Sequence, residues 1–296
     1  MVEKANQQTI MLKILLTGSN GQLGQKIVKE FKDQFELIKT DRHNLDITNK
    51  KLVAQYVTEI RPDYIIHAAA YTDVDKAETD RSTCKKINID GTQNLALVAG
   101  ALAIPIIYIS TDYVFSGRKK KPYIERDPTS PVCYYGKTKL LGERAIVAHC
   151  KKHYIIRVSW LFGESTIGKN FVETIINLSR KNKSIKVVDD QIGSPTYTGD
   201  VAKIIKELIK KMPRYGIYHF SGKGITSKYQ QAKQIVEYFD TNTAVLPCKS
   251  SVFPTPAKRP HYSYLSKDKI ERALSIKARA WEKMQEEYFK KRPTTR

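Results

Sequence analysis

Tyr135 and Lys139 lie four residues apart, which places them one turn from each other on a single helix face. An ammonium there favours phenolate and eases transfer of the phenol's proton. An unperturbed tyrosine, with pKa about 10, transfers it poorly at neutral pH. A hydroxyl such as Thr111, earlier in the chain, can hold a reacting oxygen against that phenol. The chemistry this trio suits is the interconversion of a carbonyl and an alcohol, provided another part of the chain brings a hydride. A Tyr-x-x-x-Lys spacing alone also describes an exposed helix face, so the reading depends on that second part.

The second part is the loop Gly18-Ser-Asn-Gly21-Gln-Leu-Gly24. Before it, the apolar run 12–17 suits a buried parallel strand; after it, Gln22-Leu-Gly-Gln-Lys-Ile-Val-Lys-Glu-Phe31 has its apolar residues at helical spacing. Strand, glycine turn and helix in that order aim backbone N–H groups and a helix N-terminus at a pyrophosphate. Residues 36–40 then read as a second strand ending at Asp41-Arg42. An acid about 20 residues beyond the glycines suits a ribose 2′-OH, whereas an arginine suits a 2′-phosphate. Both are present, so NADH and NADPH both remain open.

At 296 residues the chain can bury a large core, and 41% apolar with 27% charged residues is ordinary for a globular protein. No apolar run approaches the roughly 18 residues of a membrane span. Residues 1–10 lack a signal-peptide plan and read as a leader before a start at Met11. Cys84, Cys133, Cys150 and Cys248 are scattered without metal-ligand spacing, which fits a reduced, cytoplasmic protein with no structural metal. The net charge of +21 comes from dispersed basic stretches with no groove-reading motif. Nucleic acid is therefore not an expected partner, and a positive field also draws in anionic nucleotides.

Strand-like and helix-like segments alternate, which predicts an α/β fold built on a doubly wound parallel sheet. Strands are expected at 12–17, 36–40, 64–68, 106–110, 154–158, 185–188 and 217–220. Helices are expected near 22–32, 49–60, 83–103, 135–149, 170–182, 200–212 and 227–239, with a Pro-rich stretch at 247–260 and a basic helical tail. Residues 116–132 read as a loop over the site, and 189–196 as turns bracketing a ligand edge. Expected strands three and four end at His67-Ala-Ala-Ala-Tyr71 and at Thr111, converging on one sheet edge. The domain reading is 11–160 for dinucleotide binding and 161–296 mainly for a smaller C-terminal lobe, with 185–188 and 217–220 returning to the sheet.

Seven blocks carry a resemblance to the dTDP-4-dehydrorhamnose reductase family of the extended short-chain dehydrogenase/reductases. They are Thr17-Gly-Ser-Asn-Gly-Gln-Leu-Gly24; Arg61-Pro-Asp-Tyr-Ile-Ile-His-Ala-Ala-Ala-Tyr-Thr-Asp-Val-Asp-Lys-Ala-Glu78; Ser110-Thr-Asp-Tyr-Val-Phe115; Tyr135-Gly-Lys-Thr-Lys-Leu-Leu-Gly-Glu143; Arg157-Val-Ser-Trp-Leu-Phe-Gly163; Val188-Asp-Asp-Gln-Ile-Gly-Ser-Pro-Thr196; and Arg259-Pro-His-Tyr-Ser263. The resemblance implies a Rossmann core with a C-terminal sugar-nucleotide lobe. It implies reduction of a dTDP-linked 4-keto-6-deoxy sugar to dTDP-L-rhamnose with NADPH or NADH, and it leaves a homodimer open.

Carried over by motif, Thr111, Tyr135 and Lys139 are the catalytic set, Lys139 both orienting the nicotinamide ribose and lowering the Tyr135 pKa. Gly18, Gly21, Gln22, Leu23 and Gly24 hold the pyrophosphate and Asp46 and Ile47 the adenine end; Asn20, with Asp41 and Arg42 read above, is also expected to bind the cofactor. Ala69, Ala70 and Tyr71 face the nicotinamide; Thr72, Tyr113 and Trp160 contact the substrate. A flat indole covering a sugar ring makes physical sense. His67 stands where the family more often has Asn and reads as a buried, satisfied histidine. Asp189 and Asp190 are either a solvated turn or ligands recruiting a divalent ion such as Mg2+ at a subunit contact. The same residues admit a reductase of another nucleotide-linked 4-keto sugar, or a non-catalytic regulator resembling the methionine adenosyltransferase beta subunit. The run 70–78 and the pair Ser159-Trp160 favour the reductase.

Overall fold

The computed structural model describes residues 11–164 and 170–292; the leader expected at 1–10 lies outside them. The first half alternates β1 (Lys13–Thr17), α1 (Gln22–Phe31), β2 (Glu36–Thr40), α2 (Lys50–Ile60) and β3 (Tyr64–His67). It continues with α3 (Arg81–Lys85), a π-helical turn Lys86–Gly91, α4 (Thr92–Ala101), β4 (Ile106–Thr111), α5 (Tyr134–His149) and β5 (His153–Val158). Then come β6 (Leu161–Phe162), α6 (Phe171–Ser179), β7 (Ser184–Val188), β8 (Ile192–Gly193), β9 (Thr196–Tyr197), α7 (Thr198–Lys211) and β10 (Gly216–Phe220). The last elements are β11 (Thr226–Ser227), α8 (Lys228–Tyr238), β12 (Ala244–Cys248), α9 (Asp268–Leu274) and α10 (Trp281–Lys291).

Six strands pair in the order β10-β5-β4-β3-β1-β2, all parallel. β1, β3, β4 and β5 are near-continuous apolar runs because helices cover both sheet faces. One core holds Ile14, Leu16, Ile66, Ile107 and Ile156 against α1 and α7; the other holds Leu15, Ile65, Ile106, Tyr108 and Ile155 against α2, α4 and α5. In α1, Leu23, Ile27 and Phe31 are buried, each burial stabilising by about 1.5–3 kcal/mol.

Strand order reverses between β1 and β3, so the crevice at their C-terminal ends is where an open parallel sheet binds ligands. Of the two late segments expected to rejoin the sheet, 216–220 does so beside β5. Residues 184–188 do not: β7 pairs with β12 in a separate two-stranded sheet. Its alternating exposure, with Ile185 and Val187 inward and Ser184 and Lys186 outward, fits a half-buried ribbon rather than a central strand.

Candidate active site

β1 delivers its chain into a turn whose glycines serve two purposes. Gly18 has φ +71°, and a Cβ there would lie 2.6 Å from the Ala69 backbone N; a Cβ on Gly24 would lie 2.1 Å from the Gly18 carbonyl oxygen. Both are therefore required by packing between β1, α1 and the end of β3. Gly21 differs. Its φ is −71° and the nearest obstacle to a Cβ is the Gly18 oxygen at 3.2 Å, so a side chain there would project into the crevice. No side chain caps α1, and its first N–H groups, lacking intrahelical acceptors, are available to an anion. This cradle fits a dinucleotide pyrophosphate.

At the end of β2, Asp41 accepts from the Asn20 amide at 2.5 Å and from the His43 backbone N–H at 2.8 Å. That N–H is the main reason its carboxyl sits below the usual range. Arg42 is exposed beside it. Asp46 accepts from the Thr48 N–H and hydroxyl, shaping the turn that carries buried Ile47.

His67 is fully buried, with Nδ1 2.8 Å from the Thr17 hydroxyl and Nε2 3.0 Å from the Thr92 hydroxyl. Burial, with Lys139 adding to it, pushes its pKa down to about 3. It is the satisfied core histidine its position suggested. Beyond it, Ala69, Ala70 and Thr72 line the crevice. Tyr71 is not among the lining residues: its phenol donates to Asp80 at 3.3 Å, and its backbone N–H and carbonyl are taken by the Asn88 amide at 2.8 and 3.1 Å. Asn88 sits in the π-helical turn, whose extra residue directs it there. The sequence reading missed it because a π turn leaves no trace in a 3.6-residue period.

α5 carries the trio's phenol and ammonium. Cys133 caps it through the Gly136 N–H, and Glu78 accepts from the Tyr134 N–H at 2.7 Å. Farther along, buried Glu143 takes the Arg157 guanidinium bidentately at 2.9 and 2.7 Å and the Ser110 hydroxyl at 2.5 Å. α5 is thus pinned to β5 and β4, beside Thr111.

The Thr111 hydroxyl donates to Asp112 at 3.1 Å and accepts from the Tyr113 N–H at 3.2 Å. Tyr113 packs edge-on to Tyr135 with centroids 5.7 Å apart. Burial raises the Tyr135 pKa, and the Thr111 hydroxyl only partly opposes it. Lys139 is buried too, which pulls its pKa down to about 7 against the opposing charge of Glu143. Its ammonium donates to the Ile109 carbonyl at 2.7 Å and lies 4.0 Å from the Tyr108 ring centroid. The resemblance implied a phenol acidified by this lysine; desolvation acts on the phenol in the opposite direction.

On the other wall, Trp160 adopts φ +47° at the end of β5. The Lys228 ammonium lies 3.6 Å from its ring centroid and 4.3 Å from that of Phe171. The indole face expected to cover a sugar therefore already carries a cation. Asp112, next to Thr111, is buried with one carboxylate oxygen lacking a hydrogen-bond partner, and burial raises its pKa to about 6. Neither Lys228 nor Asp112 was assigned a role from sequence. Lys228 begins a helix whose period marks only its apolar face, and Asp112 sits in a 3₁₀ turn.

Among the described residues, no group of three or more His, Cys, Asp or Glu converges as a metal site. The Asp189-Asp190 pair considered for Mg2+ is otherwise engaged: Asp189 pairs with Lys249 at 2.9 Å, and Asp190 accepts from the Ser250 hydroxyl at 2.6 Å. No helix among the described residues is long and apolar enough to cross a membrane.

One continuous cleft of about 2520 Å³ runs from the glycine turn past Thr111, Tyr135 and Lys139 to Trp160 and Lys228. Pockets for single small ligands are typically about 300–1,000 Å³, so this cleft has room for more than one. A dinucleotide cradle sharing one cleft with a proton-donating trio, on a doubly wound sheet, is the plan of an NAD(P)H-dependent oxidoreductase. The model of the RmlD substrate binding domain family matches residues 12–293, and the chain belongs to that family.

A dTDP-4-dehydrorhamnose reductase of Aggregatibacter actinomycetemcomitans is 39% identical, covering 92% of this chain and 97% of that protein. The crystal structure of a dTDP-4-dehydrorhamnose reductase from Clostridium acetobutylicum is 42% identical with TM-score 0.90, covering 94% and 99% of the two chains. The corresponding enzyme of Bacillus anthracis, solved in complex with NADP, is 38% identical with TM-score 0.91, covering 96% and 100%.

Proposed function

We propose that this protein reduces the 4-keto group of dTDP-4-dehydro-L-rhamnose to give dTDP-L-rhamnose, with NADPH or NADH as reductant. The observation that carries the reading is the single cleft joining the glycine cradle to the half-buried phenol of Tyr135 beside Thr111 and Lys139. Relatives bearing that activity's name, aligned over nearly their whole length, supply the sugar.

A reduced nicotinamide dinucleotide, held at residues 18–24 and 41–42, supplies the hydride to the carbonyl carbon. Tyr135 gives its proton to the carbonyl oxygen. Thr111, its hydroxyl set by the Tyr113 N–H, turns its one proton from Asp112 to hold that oxygen. Lys139 supplies the positive charge that offsets the phenolate left behind. Four cysteines without disulfides fit a reducing compartment, and we place the reaction in the cytoplasm.

A coupled assay tests this. The preceding pathway enzymes convert dTDP-glucose to the keto sugar, and NADPH oxidation is followed on adding this protein. Turnover dependent on Tyr135 supports the reading. Cofactor binding without reduction of any nucleotide-linked 4-keto sugar would place the regulatory alternative first.

A further inference from the structure

Lys228 is half-buried, and its ammonium makes no hydrogen bond or ion pair to any described residue. Its ammonium is clamped between the rings of Trp160 and Phe171, and its tail lines the same cleft as the trio. Two charges act on it. Asp112, beside Thr111, favours the ammonium, and Arg259, which lines the same cleft, opposes it. Arg259 is itself anchored by Asp75 at 2.7 Å and by the Ala257 carbonyl at 3.2 Å, so it cannot swing away.

Two cations lining one partly desolvated cleft are costly unless an anion comes between them. Burial already pulls the Lys228 pKa down to about 7. The Trp160 ring and the attraction of Asp112, next to Thr111, put the ammonium on the trio's side of the cleft. The anion that belongs on this side is part of the substrate.

We propose that the Lys228 ammonium, in the same cleft as Arg259, binds the diphosphate of the sugar nucleotide and seats the sugar beside Trp160. This rests on the keto-sugar reading above, which names the diphosphate-bearing ligand. The aromatic pair acts as a holder: the rings keep the long lysine stem in one place, so little rotamer freedom is lost when the anion arrives. In this arrangement Trp160 contributes by aiming a cation as well as by covering the sugar.

Equilibrium binding of dTDP, thymidine and NADPH to the purified full chain, as wild type, Lys228→Met and Lys228→Arg, tests the proposal without turnover. Methionine keeps the stem on both rings and removes only the charge. Loss of a charge-assisted contact predicts about ten- to a hundredfold weaker dTDP binding in Lys228→Met, largely restored in Lys228→Arg. Thymidine, which lacks phosphate, and NADPH bind all three proteins alike.

Unchanged dTDP affinity in Lys228→Met overturns the proposal. An equal loss for thymidine overturns it too, since the residue would then act through packing. A loss confined to NADPH would assign the cation to the cofactor. If Lys228→Met fails to fold, Lys228→Gln and the salt dependence of dTDP binding to the wild type carry the same comparison. A wild type that binds NADPH but no dTDP refutes the substrate reading itself, an outcome separate from the behaviour of Lys228.

Discussion

Lys139 and Tyr135 occupy one face of α5, yet the Lys139 ammonium is bonded to the Ile109 carbonyl rather than to the phenol. The lysine is thus tied to the sheet beneath the tyrosine, with the Tyr108 ring under it. Its charge is held at the place where a phenolate forms in turnover, and the protein bears a desolvation cost to keep it there.

That cost makes Lys139→Met informative. The folded-state pKa is lowered from 10.5 to about 7, so between these values the unfolded chain binds more protons and stability rises with pH. Below about pH 7 both states are protonated and the full cost is present. Lys139→Met is expected to abolish most turnover while gaining stability at pH about 6–7 relative to wild type, the difference shrinking towards pH about 10. Denaturant titrations across that range check it. A variant destabilised equally at every pH would contradict the buried-charge account.

The adjacent tyrosines provide an internal control. Tyr135 lines the cleft, whereas Tyr134 points its ring at Arg81, 5.0 Å away. Tyr135→Phe should reduce the rate by at least about a hundred- to ten-thousandfold, as removal of a general acid does. Tyr134→Phe should lose little. A dead Tyr134→Phe beside an active Tyr135→Phe would put the proton on the wrong phenol.

Much of this site was legible in the sequence because it depends on local order. Strand, glycine turn and helix are consecutive, and Tyr135 and Lys139 are one turn apart on a helix that begins where the spacing placed it. Less legible were features set by partners far along the chain. β7 reads as a sheet strand until its partner is seen to be β12, about 60 residues later. The Asn88 grip on Tyr71 needs a π turn, and the Lys228 clamp needs three separate elements to meet. The resemblance could assign Trp160 to the sugar but could not show a lysine lying on its ring.

The glycines separate folding from binding. Gly24→Val would drive a side chain into the Gly18 carbonyl and the Ser19 backbone and should cost several kcal/mol or prevent folding. Gly21→Val meets only the Gly18 oxygen at 3.2 Å. It should fold with a near-normal melting temperature and lose nicotinamide dinucleotide binding. Normal cofactor affinity in folded Gly21→Val would remove the cradle assignment.

Asp41 and Arg42 should pull cofactor preference in opposite directions. The carboxylate, already holding Asn20 and the His43 N–H, accepts from a free 2′-OH and repels a 2′-phosphate. The exposed guanidinium attracts that phosphate. Arg42→Ala is therefore expected to weaken NADPH by about tenfold and NADH by little. Equal dissociation constants for the variant and the wild type with both cofactors would show that this turn does not read the ribose.

Acid should find a weak point directly beneath the cofactor cradle. His67 joins the Thr17 hydroxyl of β1 to the Thr92 hydroxyl of α4, and its pKa falls from 6.5 to about 3. Between these values the unfolded chain takes up a proton that the folded chain refuses, so stability falls as pH drops through this window. His219, buried against Arg157 and also near 3, adds to the same slope. His67→Asn removes one of the two titrating rings but leaves the two threonine hydroxyls imperfectly paired. It should be less stable than wild type at pH about 7, by about 1–3 kcal/mol, and lose stability more gradually towards pH about 4. Denaturation midpoints at several pH values give both quantities. An unaltered acid slope in His67→Asn would mean that this histidine is protonated in the folded protein and that its two threonine contacts are made by an imidazolium.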